Sequence, residues 1–221
     1  FPKETDDYSM ETWEEIALRL AGQAGIATPQ HELVEVAGKS VMLSRRFDRD
    51  GAIRIPFLSA MAMMGAKDGE RGSYPEIVDA LTQYGAQGKT DAHALFRRVV
   101  FNVLISNVDD HLRNHGFLWL GKAGWSLSPA YDLNPVPTDL KARVLTTNID
   151  LDEGTCSLDL LERASEYFAL TLAQARAIIK EVATVTATWR ETAKVVGARS
   201  SEISRMASAF EHDDLRRALA L

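Results

Sequence analysis

An α+β chain that is mainly helical is what three observations predict. Apolar residues recur at three- and four-residue steps along several long segments, the period of a helix with one buried face. Two pairs of short apolar stretches are joined by glycine-bearing connections and read as β-hairpins. From Leu158 onward the pattern is helical throughout. With 221 residues, 46% hydrophobic and 25% charged, the chain can build an ordinary globular core in one large or two small domains, so disorder is not expected.

Residues 6–23 place Trp13, Ile16, Ala17, Leu20 and Ala21 at helical spacing, with Gly25 positioned to end the helix. Glu14 on this helix reads as part of a solvated face. Leu33-Val34-Glu35-Val36 and Val41-Met42-Leu43 flank Gly38-Lys39 as the first hairpin, and Arg46-Phe47-Asp48-Arg49 leads onward. Met61, Met63 and Met64 read as core filler in preference to a Met-rich peptide surface. Residues 67–72 form a charged loop, and Ser73 caps a helix over 74–84. Residues 95–105 form a mostly buried helix. Phe117-Leu118-Trp119-Leu120 and Trp125-Ser126-Leu127 are strands joined by the four residues Gly121-Lys122-Ala123-Gly124. Thr171 and Gln174 make a capping box before Ile178, Ile179, Val182, Val185 and Trp189, an amphipathic helix, and a final helix covers 201–221.

The segment Asn107-Val108-Asp109-Asp110-His111-Leu112-Arg113-Asn114 is where chemistry concentrates. If Leu120 pairs with Trp125, extrapolation past the open end of the hairpin sets Arg113 opposite Asp132 and Asn114 opposite Tyr131, with Asp109 one loop turn away. Mg²⁺ takes one or two protein oxygens plus substrate phosphates, which an Asp and an Asn supply, and a second carboxylate can orient an attacking hydroxyl. Protein kinases use the order Asp, four residues, Asn, then a later Asp on the metal. Asp109, Asn114 and Asp132 follow that order. The bland alternative is that Asp and Asn occur here as turn formers. His111 and His115, four apart beside two aspartates, also admit a transition-metal site and hence a metal-dependent phosphohydrolase.

The run from Asn107 to Phe117, followed by Leu127-Ser128-Pro129-Ala130-Tyr131-Asp132-Leu133-Asn134-Pro135, resembles the signature of the HipA-like serine/threonine kinases, often the toxin half of a toxin–antitoxin pair. Leu20-Ala21, Gly25-Ile26, Pro29, residues 46–49, Leu58-Ser59-Ala60 and Ser73-Tyr74 match in family order, so the resemblance spans nearly the whole chain. It implies a protein kinase-like fold, with residues 1–50 a remnant of the N-terminal lobe and hinge and 51–221 the helical C-terminal lobe. It implies Asp109 as the catalytic carboxylate, Asn114 and Asp132 as Mg²⁺ ligands, and His111, Leu112, Arg113 and Asn114 on the phosphate side of ATP. Arg45, Arg46 and Phe47 would offer hinge backbone to the adenine edge, and Tyr131 would neighbour metal and nucleotide. Arg113 has Asp132 or Asp110 as alternative partners. Family precedent adds a protein substrate, such as an aminoacyl-tRNA synthetase or another translation component, and a HipB-like DNA-binding antitoxin.

The front departs from this pattern. Phe1-Pro2-Lys3 looks like the tail of a Lys-Phe-Pro strand whose lysine is missing, together with the phosphate-covering loop upstream; the resemblance implies Glu14 as that lysine's partner, the alternative to a solvated helix face. The chain thus reads as an N-terminally truncated piece, expected to bind ATP weakly and phosphorylate poorly on its own. A kinase-like scaffold that binds a regulator without catalysing is the rival reading, which the intact Asp109, Asn114 and Asp132 oppose. The formal net charge of −6 argues against direct nonspecific nucleic-acid binding. Cys156 is the sole cysteine, so no internal disulfide can form, and a reducing cytoplasm is the expected location. No apolar run approaches a membrane span.

Overall fold

Ser9 opens the first helix by accepting from the Thr12 N–H, a standard N-cap, in a computed structural model that describes residues 8–221. The predicted tail strand at Phe1–Lys3 lies outside those residues. Helix α1 (Met10–Gln23) buries Trp13, Ile16, Ala17, Leu20 and Ala21, the face its spacing predicted. It is followed by β1 (His31–Val36) and β2 (Lys39–Ser44), paired antiparallel from His31↔Ser44 to Val36↔Lys39. The intervening Ala37 and Gly38 have φ of 51° and 75°, and positive φ at both positions is what a two-residue hairpin turn requires. Two further short strands, β3 (Arg49–Asp50) and β4 (Ile53–Arg54), form a small ribbon that the sequence reading did not contain.

Next come β5 (Phe57–Ser59), α2 (Ala60–Met63), α3 (Tyr74–Tyr84), α4 (Gly88–Leu104), β6 (Gly116–Trp119) and β7 (Trp125–Leu127). Met61, Met63 and Met64 pack against the core, as filler. Ser73 and Glu76 exchange hydrogen bonds as a full capping box for α3, which fixes its start where the sequence placed it. The second hairpin departs from expectation by one residue. Its register is Phe117↔Leu127, Leu118↔Ser126 and Trp119↔Trp125, because Leu120 donates to the Gly124 carbonyl. Gly124 thereby joins the ladder at φ 111°, a conformation open to glycine, and the true connection is three residues long. β5 pairs with β6, making a third strand of what read as an isolated hairpin.

The helical remainder comprises α5 (Leu158–Ala164), α6 (Leu172–Thr186), α7 (Trp189–Val196), α8 (Ser200–Arg205), α9 (Ala207–Phe210) and α10 (Asp213–Leu219). The Thr171–Gln174 capping box opens α6, but that helix stops at Thr186 and Trp189 begins α7. The single helix expected over 201–221 is three. His212 accepts from the Leu215 N–H to start α10, so the chain turns where one amphipathic helix was read. Trp189 stacks on Phe210 at 4.6 Å and Trp13 lies 6.1 Å from Trp189, which pins α1 to the C-terminal helices. At the centre, Leu95, Phe96, Val99, Val100, Phe101, Val103 and Leu104 of α4 are all fully buried. Each such side chain contributes about 1.5–3 kcal/mol on leaving water, so the loop after α4 hangs from the best-anchored element of the fold.

Candidate active site at the end of the central helix

Helix α4 ends by reversing. Ser106 adopts a left-handed backbone at φ 55°, and Asn107 and Val108 donate to the carbonyls of Asn102 at 2.8 Å and Ser106 at 2.9 Å. The Ser106 hydroxyl donates to the Ala209 carbonyl at 2.8 Å and accepts from Arg143 Nε at 3.0 Å. Arg143 also binds Asp214 and the Val103 carbonyl, so the C-terminal helices clamp this turn. Beyond it, residues 107–111 pass through a 3₁₀ turn at Leu112–Asn114 into β6.

β7 returns a second strand to the same place. Ser128 donates to the Gly116 carbonyl at 2.8 Å and Ala130 to the Ala27 carbonyl at 2.7 Å. Tyr131 Oη donates to the Arg113 carbonyl at 2.6 Å. The one-residue register shift explains this contact: Arg113 faces Tyr131, not Asp132 as extrapolated. The convergence itself holds. Asn114 Nδ2 donates to the Asp109 carbonyl at 3.3 Å, and the Asn114 side chain lies close enough to Asp132 to favour its charged form. Asn134 Nδ2 donates to Asp132 Oδ1 at 2.7 Å. Asp132 sits at φ 57°, a left-handed position that costs a non-glycine residue about 1 kcal/mol or more and is typical of functional sites.

The electrostatics suit a cation. Partial burial pushes the Asp132 carboxyl above the usual carboxylate range; repulsion from Asp109 and Asp110 adds to this, while His111 and the nearby Asn114 amide oppose it. A divalent ion would relieve that repulsion. Asp109 is open to solvent, 66% exposed, with Lys141 Nζ 3.5 Å from it. His111 Nδ1 is buried and unpaired in the protein, a donor or acceptor left for a ligand. These observations fit a metal–nucleotide complex. The residues that would hold it are Asn114 and Asp132, with His111 beside them.

The other sequence-predicted residues divide. Phe47 joins the site, its ring centroid 5.7 Å from Tyr131 and 6.1 Å from Phe57. Arg45 bonds Gln30 through backbone and side chain, and Arg46 forms two bonds to Asp48 at 2.8 and 2.6 Å, so neither side chain reaches inward. Leu112 is a core side chain, 6% exposed, and only its backbone can face a ligand. Arg113 pairs with Asp68, in place of the Asp132 or Asp110 partners considered from sequence. The two histidines diverge. His115 is fully buried and binds Asp110 at 3.1 Å, which removes it from a shared ligand set with His111. Among the described residues no three His, Cys, Asp or Glu side chains cluster as metal ligands, a poor fit to the phosphohydrolase reading.

Glu14 is a participant the sequence left open. Its half-buried carboxylate lies near Asp132, and burial followed by repulsion from Asp132 raises its pKa. It is therefore not a solvated helix face. Helical spacing alone could not show this, because Asp132 comes to α1 only through the tertiary fold.

The fold is that of a kinase-like protein. The HipA-like C-terminal domain family matches residues 2–189, and the chain belongs to that family. A Haemophilus influenzae protein described as "Putative kinase" is 26% identical over 166 residues, covering 66% of this chain and 48% of its own length. The Sinorhizobium fredii "Putative kinase Y4dM" is 30% identical over 132 residues, covering 52% and 32%. The chain thus spans half or less of the length of these curated relatives. Two solved structures share the fold. HipA, in its complex with HipB and operator DNA from Shewanella oneidensis, aligns at TM-score 0.74 and 18% identity, covering all of this chain and 56% of that one. The Helicobacter pylori proinflammatory kinase CtkA aligns at 0.59 and 13%, covering 96% and 88%. The architecture is the α+β, mainly helical, kinase-like one the sequence predicted. Among the described residues no helix is long and apolar enough to cross a membrane.

Proposed function

We propose that the protein carrying this chain is an ATP-dependent serine/threonine kinase of HipA type, the toxin half of a toxin–antitoxin pair. The observation that carries this reading is the meeting of Asn114 with Asp132 beside an exposed Asp109. Asp109 orients the acceptor hydroxyl and takes its proton, Asn114 and Asp132 hold Mg²⁺, and His111 faces the phosphates with its free Nδ1. Bound Mg²⁺ and ATP supply the γ-phosphoryl group and neutralise its charge, so the protein's share is positioning. Phe47 and Tyr131 wall the nucleotide side, with hinge backbone at 45–47 facing the adenine. Residues 1–50 then belong to the small lobe and 51–221 to the large one. The HipA–HipB–DNA neighbour supports a HipB-like antitoxin as partner, and a translation component is the protein substrate this reading favours, in the cytoplasm.

The test is calorimetry of Mg²⁺-dependent ATP binding by the full-length protein, with and without Asp132→Asn. Binding that requires Asp132 supports the reading. Absence of nucleotide binding in both forms would leave a kinase-like scaffold for a regulator.

A further inference from the structure

Behind the outward-facing site lies a set of buried polar side chains that the proposed chemistry does not use. Asp110, next to Asp109, is 2% exposed. It accepts from the hydroxyl of Tyr74, which stands in the first turn of α3, and lies 3.1 Å from His115 Nε2. The rings of Tyr74 and His115 meet edge-on at 5.1 Å. Asn102, fully buried in the last turns of α4, donates from Nδ2 to Tyr74 Oη at 3.2 Å. Its Oδ1 accepts from Asn107 Nδ2 at 3.1 Å. Asn107 Oδ1 in turn accepts from the Asn134 backbone N–H at 3.3 Å.

The sequence of bonds has one sense. The Asp110 carboxylate takes the single Tyr74 proton, which leaves the Tyr74 oxygen free to accept from Asn102. That choice orients the Asn102 amide, and Asn102 orients Asn107. The chain starts at His115, one residue past Asn114, and ends at Asn134, two residues past Asp132. It links the two segments that carry the candidate metal ligands, and it passes through α3 and α4, the rigid floor beneath them. Burying so many polar groups is unfavourable unless they are bonded; every link from Asp110 to Asn134 is made, His115 Nδ1 alone being without a partner at the near end, and a connected network of this kind fixes one arrangement over its competitors.

We propose that Tyr74, Asn102 and Asn107 are positioning residues, a buried relay that sets the spacing between the catalytic loop and the metal-binding segment and so holds Asn114 and Asp132 ready for one ion. The proposal rests on the kinase reading above. It requires that removing one oxygen from the middle of the relay loosens both ends together, although neither end is touched.

The test uses the full-length protein and Tyr74→Phe, which keeps the ring, together with Asn107→Ala and the double variant. Disturbing groups that support metal ligands typically weakens metal affinity or activity by about 10–100-fold. Tyr74→Phe is expected to raise the Mg²⁺ concentration for half-maximal phosphoryl transfer about tenfold. The double variant should show no greater shift than the worse single one, the mark of residues in one chain. Amide exchange, measured without nucleotide, should accelerate together in residues 107–115 and 132–136 and stay unchanged in α6. An unchanged Mg²⁺ requirement, or acceleration confined to one segment or spread over the whole protein, overturns the relay. Wild-type protein that transfers no phosphate would remove the kinase reading, and the exchange of the two segments would still decide the relay.

Discussion

Asp109 and Asp110 are neighbours in the chain and opposites in the fold. Asp109 is 66% exposed beside Lys141, while Asp110 is 2% exposed and bound by Tyr74 and His115. One loop therefore has an outer face that can meet a substrate and an inner face that can only order the loop. A carboxylate that must accept a proton needs access, whereas one that must hold geometry needs burial and complete hydrogen bonding. The 3₁₀ turn continues the division: Asn114 meets Asp132 on the site side, whereas Leu112 enters the core.

The strongest way to break that contrast is to neutralise each aspartate in turn. Asp109→Asn should lower kcat by about 10²–10⁴-fold, the usual contribution of a positioned acid–base group, while its exposed side chain leaves Tm unchanged. Kinetics and a thermal scan on the same preparation check both halves. Asp110→Ala should do the reverse in kind. It strands the Tyr74 hydroxyl and a His115 nitrogen in the core and destabilises by about 3 kcal/mol, read as a lowered denaturant midpoint with unchanged slope.

His212 extends the comparison to the C-terminal wall of the site. Its Nδ1 accepts from the Leu215 N–H and its Nε2 meets the Leu104 carbonyl at 3.1 Å, so the neutral ring is fully used. Burial, with Arg143 nearby, pushes its pKa down to about 4 from 6.5. The unfolded chain binds the proton first, so His212's stabilisation is complete above pH 6.5 and lost as pH falls through about 4. The difference amounts to about 3 kcal/mol. His212→Asn, which keeps an N-cap acceptor, should flatten stability between pH 6.5 and 4 in urea titrations. The smallest effect belongs to the outer face: Lys141→Ala removes an exposed ion pair and should change stability by less than about 0.5 kcal/mol.

The outer face was legible in the sequence and the inner one was not. Asp109, Asn114 and Asp132 are fixed by spacing and by a hairpin whose existence, though not its register, follows from two strands around Gly121 and Gly124. The N-cap at Ser73 and the capping box at Thr171 are local signals and hold in the structure, whereas the reciprocal Glu76 bond at Ser73 is an addition of the structure. The pairing of Tyr74 with Asp110, the approach of Glu14 to Asp132 and the β5–β6 pairing join segments far apart in sequence, and local periodicity carries no information about them. The breaks at Ala187 and at Glu211–His212 were missed because apolar spacing continues across them. The corner at His212 depends on a histidine serving as N-cap. Arg113 was misassigned because the hairpin register was one residue off and Asp68 lies in a loop with no pattern to place it.

The most direct test of the central claim is transfer of the γ-phosphate of labelled ATP to a protein serine or threonine by the full-length protein, wild type against Asp109→Asn. The account predicts Mg²⁺-dependent labelling by the wild type and its loss in a variant that remains folded and still binds ATP. Equal labelling by both would contradict the assignment of Asp109, and with it the division of the loop into a chemical face and an ordering face.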